Sequence, residues 1–156
     1  MVDIVSHETR SKMMARIKGK NSKPEVLIRK ALHRKGFRYR LHDKLQPGKP
    51  DLLFPKYNAV ILINGCFWHG HNCQLFRWPS TNYEFWHNKI TGNQNRDKQT
   101  SSLLEQSGWR VLTIWECAIK GKYKRPLSEV IEEICNWLLL KQYSTEIKYK
   151  ITDEIE

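Results

Sequence analysis

Cys66, His69, His71 and Cys73 fall within eight consecutive residues, and a third thiol, Cys117, stands just past a stretch that reads as a strand. The surrounding segment, Gly65 to Ser80, carries Cys, His and aromatic residues with neither a helical nor a strand period, so hydrophobic patterning cannot order it. A metal ion can. A closed tetrahedral zinc site takes four soft N or S donors, and this cluster offers three thiols and two imidazoles, one donor more than needed. One histidine is therefore left for other work, and spacing alone does not say which. The strand before Cys117 could return the chain to the same place. Cys135 differs, because it shares an apolar stripe with Ile131, Ile134 and Leu138, where a cysteine acts as a small hydrophobe.

Local signals give the elements around this loop. Ser6 suits the cap of a first, basic helix reaching Ile17. Ser22 with Glu25 three residues on has capping-box spacing, Pro24 suits a first turn, and Leu27, Ile28, Ala31 and Leu32 give one apolar face before Gly36, so a helix is expected there. Phe37 to Leu41 alternates like a half-buried strand, Asp51 to Phe54 is a short strand, and Ala59 to Ile63 is apolar throughout, as in a central strand. Thr81 with Glu84 repeats the capping-box spacing for a helix to about Ile90, and a further helix is expected from near Asn93 to Gly108. Trp109 to Trp115 reads as a strand, and Ser128 as the cap of a last helix ending near Leu140. The sum is a mixed α/β layer sandwich.

The chain has 156 residues, room for one domain and little more. We divide it into a DNA-binding arm at residues 1–20, one domain at 21–140 and a loosely held charged tail at 141–156. The formal net charge is +11, which attracts a polyanion and makes nucleic acid the natural partner. No apolar run approaches the roughly 20 residues of a membrane span, and the N-terminus lacks the apolar core of a secretory signal. The expectation is a cytoplasmic protein with no membrane partner. In that reducing setting Cys66, Cys73 and Cys117 are read as metal ligands rather than disulfide partners.

Pro50-Asp51 stands at the mouth of a strand behind a Gly-Lys turn, where a carboxylate can hold magnesium against a scissile phosphate. In many nucleases of the restriction-enzyme type the next strand then supplies an acid, one residue and a lysine. Here that strand reads Val60-Ile61-Leu62-Ile63-Asn64 and has neither. Magnesium accepts such a site, since it commonly keeps several waters and only one or two carboxylates.

Taken together, Pro50-Asp51, Gly65-Cys66-Phe67-Trp68-His69-x-His71-x-Cys73, Phe85-Trp86, Asn93, Arg96-Asp97, Gly108-Trp109-Arg110-Val111 and Trp115-Glu116-Cys117 resemble the very-short-patch mismatch repair endonucleases. The match runs from Thr9-Arg10-Ser11 and Met14 to about residue 120. The resemblance implies a restriction-endonuclease-like three-layer core, a mixed sheet flanked by helices with a structural zinc site and an N-terminal helical arm. It implies nicking of the thymine-bearing strand beside a T·G mismatch made by deamination of 5-methylcytosine, with catalytic Mg²⁺ and structural Zn²⁺. Cys66, His71, Cys73 and Cys117 would hold zinc, leaving His69 for proton transfer. Asp51 and the main-chain carbonyl of Ile63 would hold magnesium.

The resemblance also places Glu25 near metal-bound water, although its capping position is reason enough for a glutamate, and makes Asp97 the support of the catalytic histidine. Phe67, Trp68 and Trp86 would wedge into the base stack beside the mismatch, with Met14 entering from the opposite groove, while Asn93 and Arg96 would touch the DNA. Asn64 departs from the histidine that well-known members carry at the matching position, and asparagine cannot shuttle a proton. The implied setting is a monomer acting on mismatched double-stranded DNA in a bacterial cell, on the nucleoid, beside mismatch-repair proteins and a cytosine methyltransferase. The competing readings are a zinc-stabilised DNA-binding protein with weak or no catalysis and a nickase with another target.

Overall fold

The computed structural model describes residues 22–150. The expected arm, with its helix from Ser6 and with Met14, lies outside them, as do the last six residues of the chain. Among the described residues no helix is long and apolar enough to cross a membrane.

Helix α1 (Lys23–Arg34) starts as its sequence predicts, with the Ser22 hydroxyl accepting the Glu25 N–H at 3.4 Å and Pro24 in the first turn. It buries Ile28 and Leu32, while Leu27 stays outside. Strand β1 is only Arg40–Leu41, shorter than the expected Phe37 to Leu41. Its antiparallel partner β2 (Leu52–Phe54) sets Arg40 opposite Leu53, so residues before Tyr39 would face Pro55, which lacks an N–H to continue the ladder. Phe37 turns into the core instead, edge-on to Phe54 with ring centres 6.4 Å apart.

Strand β3 (Ala59–Asn64) is the centre of a five-stranded sheet in the order β1-β2-β3-β4-β5, with β4 at Arg110–Trp115 and β5 at Thr145–Ile147. The β1/β2 and β2/β3 pairs are antiparallel and the β3/β4 and β4/β5 pairs parallel, which is the expected mixed sheet. Alternation along the strands gives it two apolar faces. Leu52, Phe54, Ile61, Leu112 and Ile114 pack against α1 and against α3 (Leu127–Leu139) through Val130, Ile134 and Trp137. Leu53, Val60 and Val111 pack on the other side against Leu104 of α2 (Tyr83–Gln106). The result is three layers.

Other local expectations fail as well. The helices drawn at 81–90 and 93–108 are one helix of 24 residues, because an interior glycine, here Gly92, costs only about 1 kcal/mol and packing outweighs that. Its N-cap is Asn82, in a left-handed conformation at φ 55°, rather than Thr81. Pro126 precedes α3 at the cap position and Ser128 lies inside its first turn. Nor is the chain loose over the described residues 141–150. Thr145–Ile147 adds the strand β5 to the free edge of β4, and Ile147 is buried in the core, so burial at the sheet edge holds a segment whose charge suggested a tail.

Candidate active site and metal centre

The parallel pairing of β3 with β4 sets Asn64 beside Trp115, so the chain leaves the two strands side by side as Gly65-Cys66 and Glu116-Cys117. This crossover is what closes the thiol cluster. The donor atoms of Cys66, His71, Cys73 and Cys117 all lie within 4.8 Å of one another. His71 Nδ1 is 3.6 Å from Cys66 Sγ and 3.5 Å from Cys117 Sγ. Ordinary Zn–S and Zn–N bonds in a tetrahedron put sulfur and nitrogen about 3.6 Å apart, so the donor set fits zinc in both chemistry and spacing. Its ionisation fits as well. The Cys117 thiol is drawn down to about 7, first by its hydrogen bond with Cys66, while the same hydrogen bond with Cys117 and burial push Cys66 up. Burial also pushes Cys73 up. One thiol ionises at the expense of the others until a cation compensates them. The His71 ring stacks on Trp115, with centres 4.0 Å apart and planes 9° apart, which fixes its orientation.

His69 stands outside that cluster. Its Nδ1 is 2.5 Å from Asp97 Oδ2, on α2, and its backbone N–H donates to Gly65 O. With Nδ1–H held by a carboxylate, Nε2 of the neutral ring carries the lone pair. The sharp turn between His69 and His71 depends on Gly70 at φ 58°, where a Cβ would come within 2.5 Å of Gln94 Nε2. Gln94 in turn donates to Gly70 O.

Asp51, just before β2, accepts the Ile63 N–H through Oδ2 at 2.7 Å. Its carboxyl is pushed up to about 7, chiefly by burial and further by nearby Glu25, with the Ile63 N–H and His42 pulling the other way. Glu25 is 1% exposed and is the buried charged residue of the described chain. Its Oε2 lies 2.7 Å from Arg29 Nη1 and 2.9 Å from His42 Nε2. The glutamate that the sequence offered as half of a capping box thus has its side chain turned toward Asp51.

Glu25, Asp51, Ile63, Asn64 and His69 line one cleft of about 730 Å³, together with Phe67 and Trp68. Phe67, Trp68 and Trp86 form a half-buried aromatic group, their ring centres 5.3 to 5.7 Å apart. Asn93 is at the cleft wall, its amide donating to Trp68 O at 2.8 Å, and exposed Arg96 donates to Asn93 Oδ1. Every expected site residue among those described is therefore brought to this region or to the thiol cluster beside it. Sequence reading missed His42 and Arg29. His42 had one signal, its place at the end of β1, where antiparallel pairing sets it against Asp51 and its N–H donates to Asp51 O. Arg29 had the ordinary spacing of a helical partner four residues after Glu25.

The family model described as DNA mismatch endonuclease Vsr matches residues 2–75. A type II nicking enzyme of Neisseria meningitidis is 44% identical over 136 residues, covering 86% of this chain and 97% of that protein. The DNA mismatch endonuclease Vsr of Escherichia coli is 38% identical over 147 residues, or 94% of each chain. A type II nicking enzyme of Xanthomonas oryzae is 40% identical over 119 residues, 76% of this chain and 88% of its own.

Proposed function

Because this chain belongs to the DNA mismatch endonuclease Vsr family and is a DNA endonuclease, we propose that it nicks the thymine-bearing strand of duplex DNA beside a T·G mismatch left by deamination of 5-methylcytosine. The observation that supports this reading is that Asp51, His69, Phe67 and Trp68 line a single cleft, so that a carboxylate, an imidazole and an aromatic surface lie together.

Asp51 is the side-chain ligand for magnesium. The half-buried carboxyl, crowded by Glu25, suits a hard cation. Ile63 turns its N–H toward Asp51, and in an extended residue the carbonyl projects from the same edge, so its main-chain oxygen serves as a second ligand. When bound, magnesium supplies positive charge at the scissile phosphate. His69, held by Asp97, takes a proton at Nε2 from the attacking water. Asn64, in the same cleft, hydrogen-bonds phosphate where the resembled enzymes place an imidazole. Glu25 orients water from the cleft wall. The zinc ligands hold Phe67 and Trp68 between Cys66 and His71, so the loop meets DNA already shaped. Insertion of these rings is cheapest at a mispaired step, which needs a few kcal/mol less to unstack, and that difference itself discriminates.

The names of the type II nicking relatives favour one alternative, the same chemistry at a different target. Incubating the protein with duplexes that carry each mismatch in several sequence contexts, with and without Mg²⁺, separates the readings. Mg²⁺-dependent nicking confined to T·G duplexes supports the proposal. Nicking of paired DNA would replace the target, and binding without nicking would leave a DNA-binding protein.

A further inference from the structure

His42 plays no part in the chemistry described so far, yet it touches both acids of the cleft. Its Nε2 is 2.9 Å from Glu25 Oε2 and 4.0 Å from Asp51 Oδ1, and its main-chain N–H donates to Asp51 O at 3.2 Å. The residue sits in the left-handed region at φ 48°, which a non-glycine residue adopts at some cost, and that bend is what carries the ring from the end of β1 back over the acids. Arg29 reaches the same Glu25 oxygen from one helical turn away. The carboxylate of Glu25 is thus gripped by a guanidinium on its own helix and by an imidazole from the sheet, and only the second of these ties α1 to the strand that leads into Asp51.

We infer that His42 is a positioning residue for the cation site: by donating to Glu25 and pinning the Asp51 main chain, it sets the spacing of the two acids and hence the affinity for magnesium. Groups that orient metal ligands typically change metal affinity or activity by about 10- to 100-fold when removed. His42 itself needs no contact with substrate. Glu25 and Asp51 line the cleft, and the ring acts through them.

The inference rests on the Mg²⁺-dependent reading, so its test has one arm independent of activity. Thermal unfolding of the metal-free protein is compared for His42→Leu, Glu25→Gln and the double variant. If the ring positions Glu25, the double variant loses clearly less than the sum of the single losses, and strict additivity overturns the contact. In the nicking arm, His42→Leu should raise the Mg²⁺ concentration for half-maximal rate by about tenfold or more while leaving the rate at saturating Mg²⁺ within about threefold. His42→Gln, whose amide reaches the place of Nε2, should restore most of that affinity and also guards against a leucine variant that fails to fold. An unchanged Mg²⁺ requirement in both variants overturns the positioning role, as does equal damage by Gln and Leu. Wild-type protein that nicks without Mg²⁺ would instead overturn the metal reading and leave the unfolding arm to judge His42.

Discussion

Asp97 reaches across from the long helix α2 to hold His69, its Oδ2 2.5 Å from the imidazole Nδ1. One tautomer is thereby favoured, with the lone pair on Nε2. His69→Ala should cost on the order of 10² to 10⁴ in single-turnover nicking rate, the usual share of general acid–base catalysis. Asp97→Asn, which frees the tautomer, should cost about 10- to 100-fold. A variant of Asp97 with an unchanged rate and pH profile would remove it from the mechanism.

Zinc content separates the two histidines. His71→Ala and Cys117→Ser should each lose the metal, loosen the segment 65–80 and lower the unfolding temperature, whereas His69→Ala should keep one zinc per chain by elemental analysis. Cys135, packed against the core from α3, is the control: Cys135→Ala should keep zinc and cost only about 1 kcal/mol. Zinc lost from His69→Ala and retained by His71→Ala would mean that the roles are exchanged.

The Asp51 carboxyl is raised in the folded protein to about 7, against about 3.9 in an unfolded chain. Between those values the folded state holds a proton that the unfolded state has released, so without metal the stability falls as pH rises from about 4 to about 7. Asp51→Asn removes that penalty. The variant should unfold at a higher temperature than the wild type at pH 8, and the gain should vanish near pH 4, while Mg²⁺-dependent nicking is abolished at every pH. In the wild type the rate at limiting Mg²⁺ should climb as pH approaches 7, because the ion must displace the proton.

Trp68→Ala and Trp86→Ala should weaken discrimination between mismatched and paired duplexes more than they weaken binding to paired DNA. Equal losses on both would point to damage in the aromatic packing instead. For all variants binding should fall steeply with salt, since a +11 chain displaces counterions from several phosphates.

Arg110 donates to the carbonyls of Tyr57, Trp137, Leu138 and Gln142 and stacks 4.5 Å over the Trp137 ring, closing the C-terminal end of α3. Arg110→Ala should cost about 2–4 kcal/mol in denaturant unfolding, because it leaves carbonyls without their donor. Arg110→Lys should recover little of it, since a single ammonium cannot span the four acceptors. Zinc content should not change.

What the sequence determined by itself is whatever a local pattern can encode. Ser22, Pro24 and Glu25 mark the start of α1 because capping satisfies N–H groups within one turn, and Ala59 to Ile63 marks the central strand because a short, β-branched run that is apolar at every position suits a strand buried on both faces. The Cys and His run announces a metal for the same reason: its donors are close along the chain. Tertiary structure decided the rest. Glu25 serves the cap through its backbone N–H and the cleft through its side chain, and only the packing of α1 against the sheet shows the second use. The strand at Thr145–Ile147 depends on an open edge of β4. The ring of His42 meets Glu25 seventeen residues away because β1 turns back over Asp51, and no periodicity records a contact whose two ends belong to different elements.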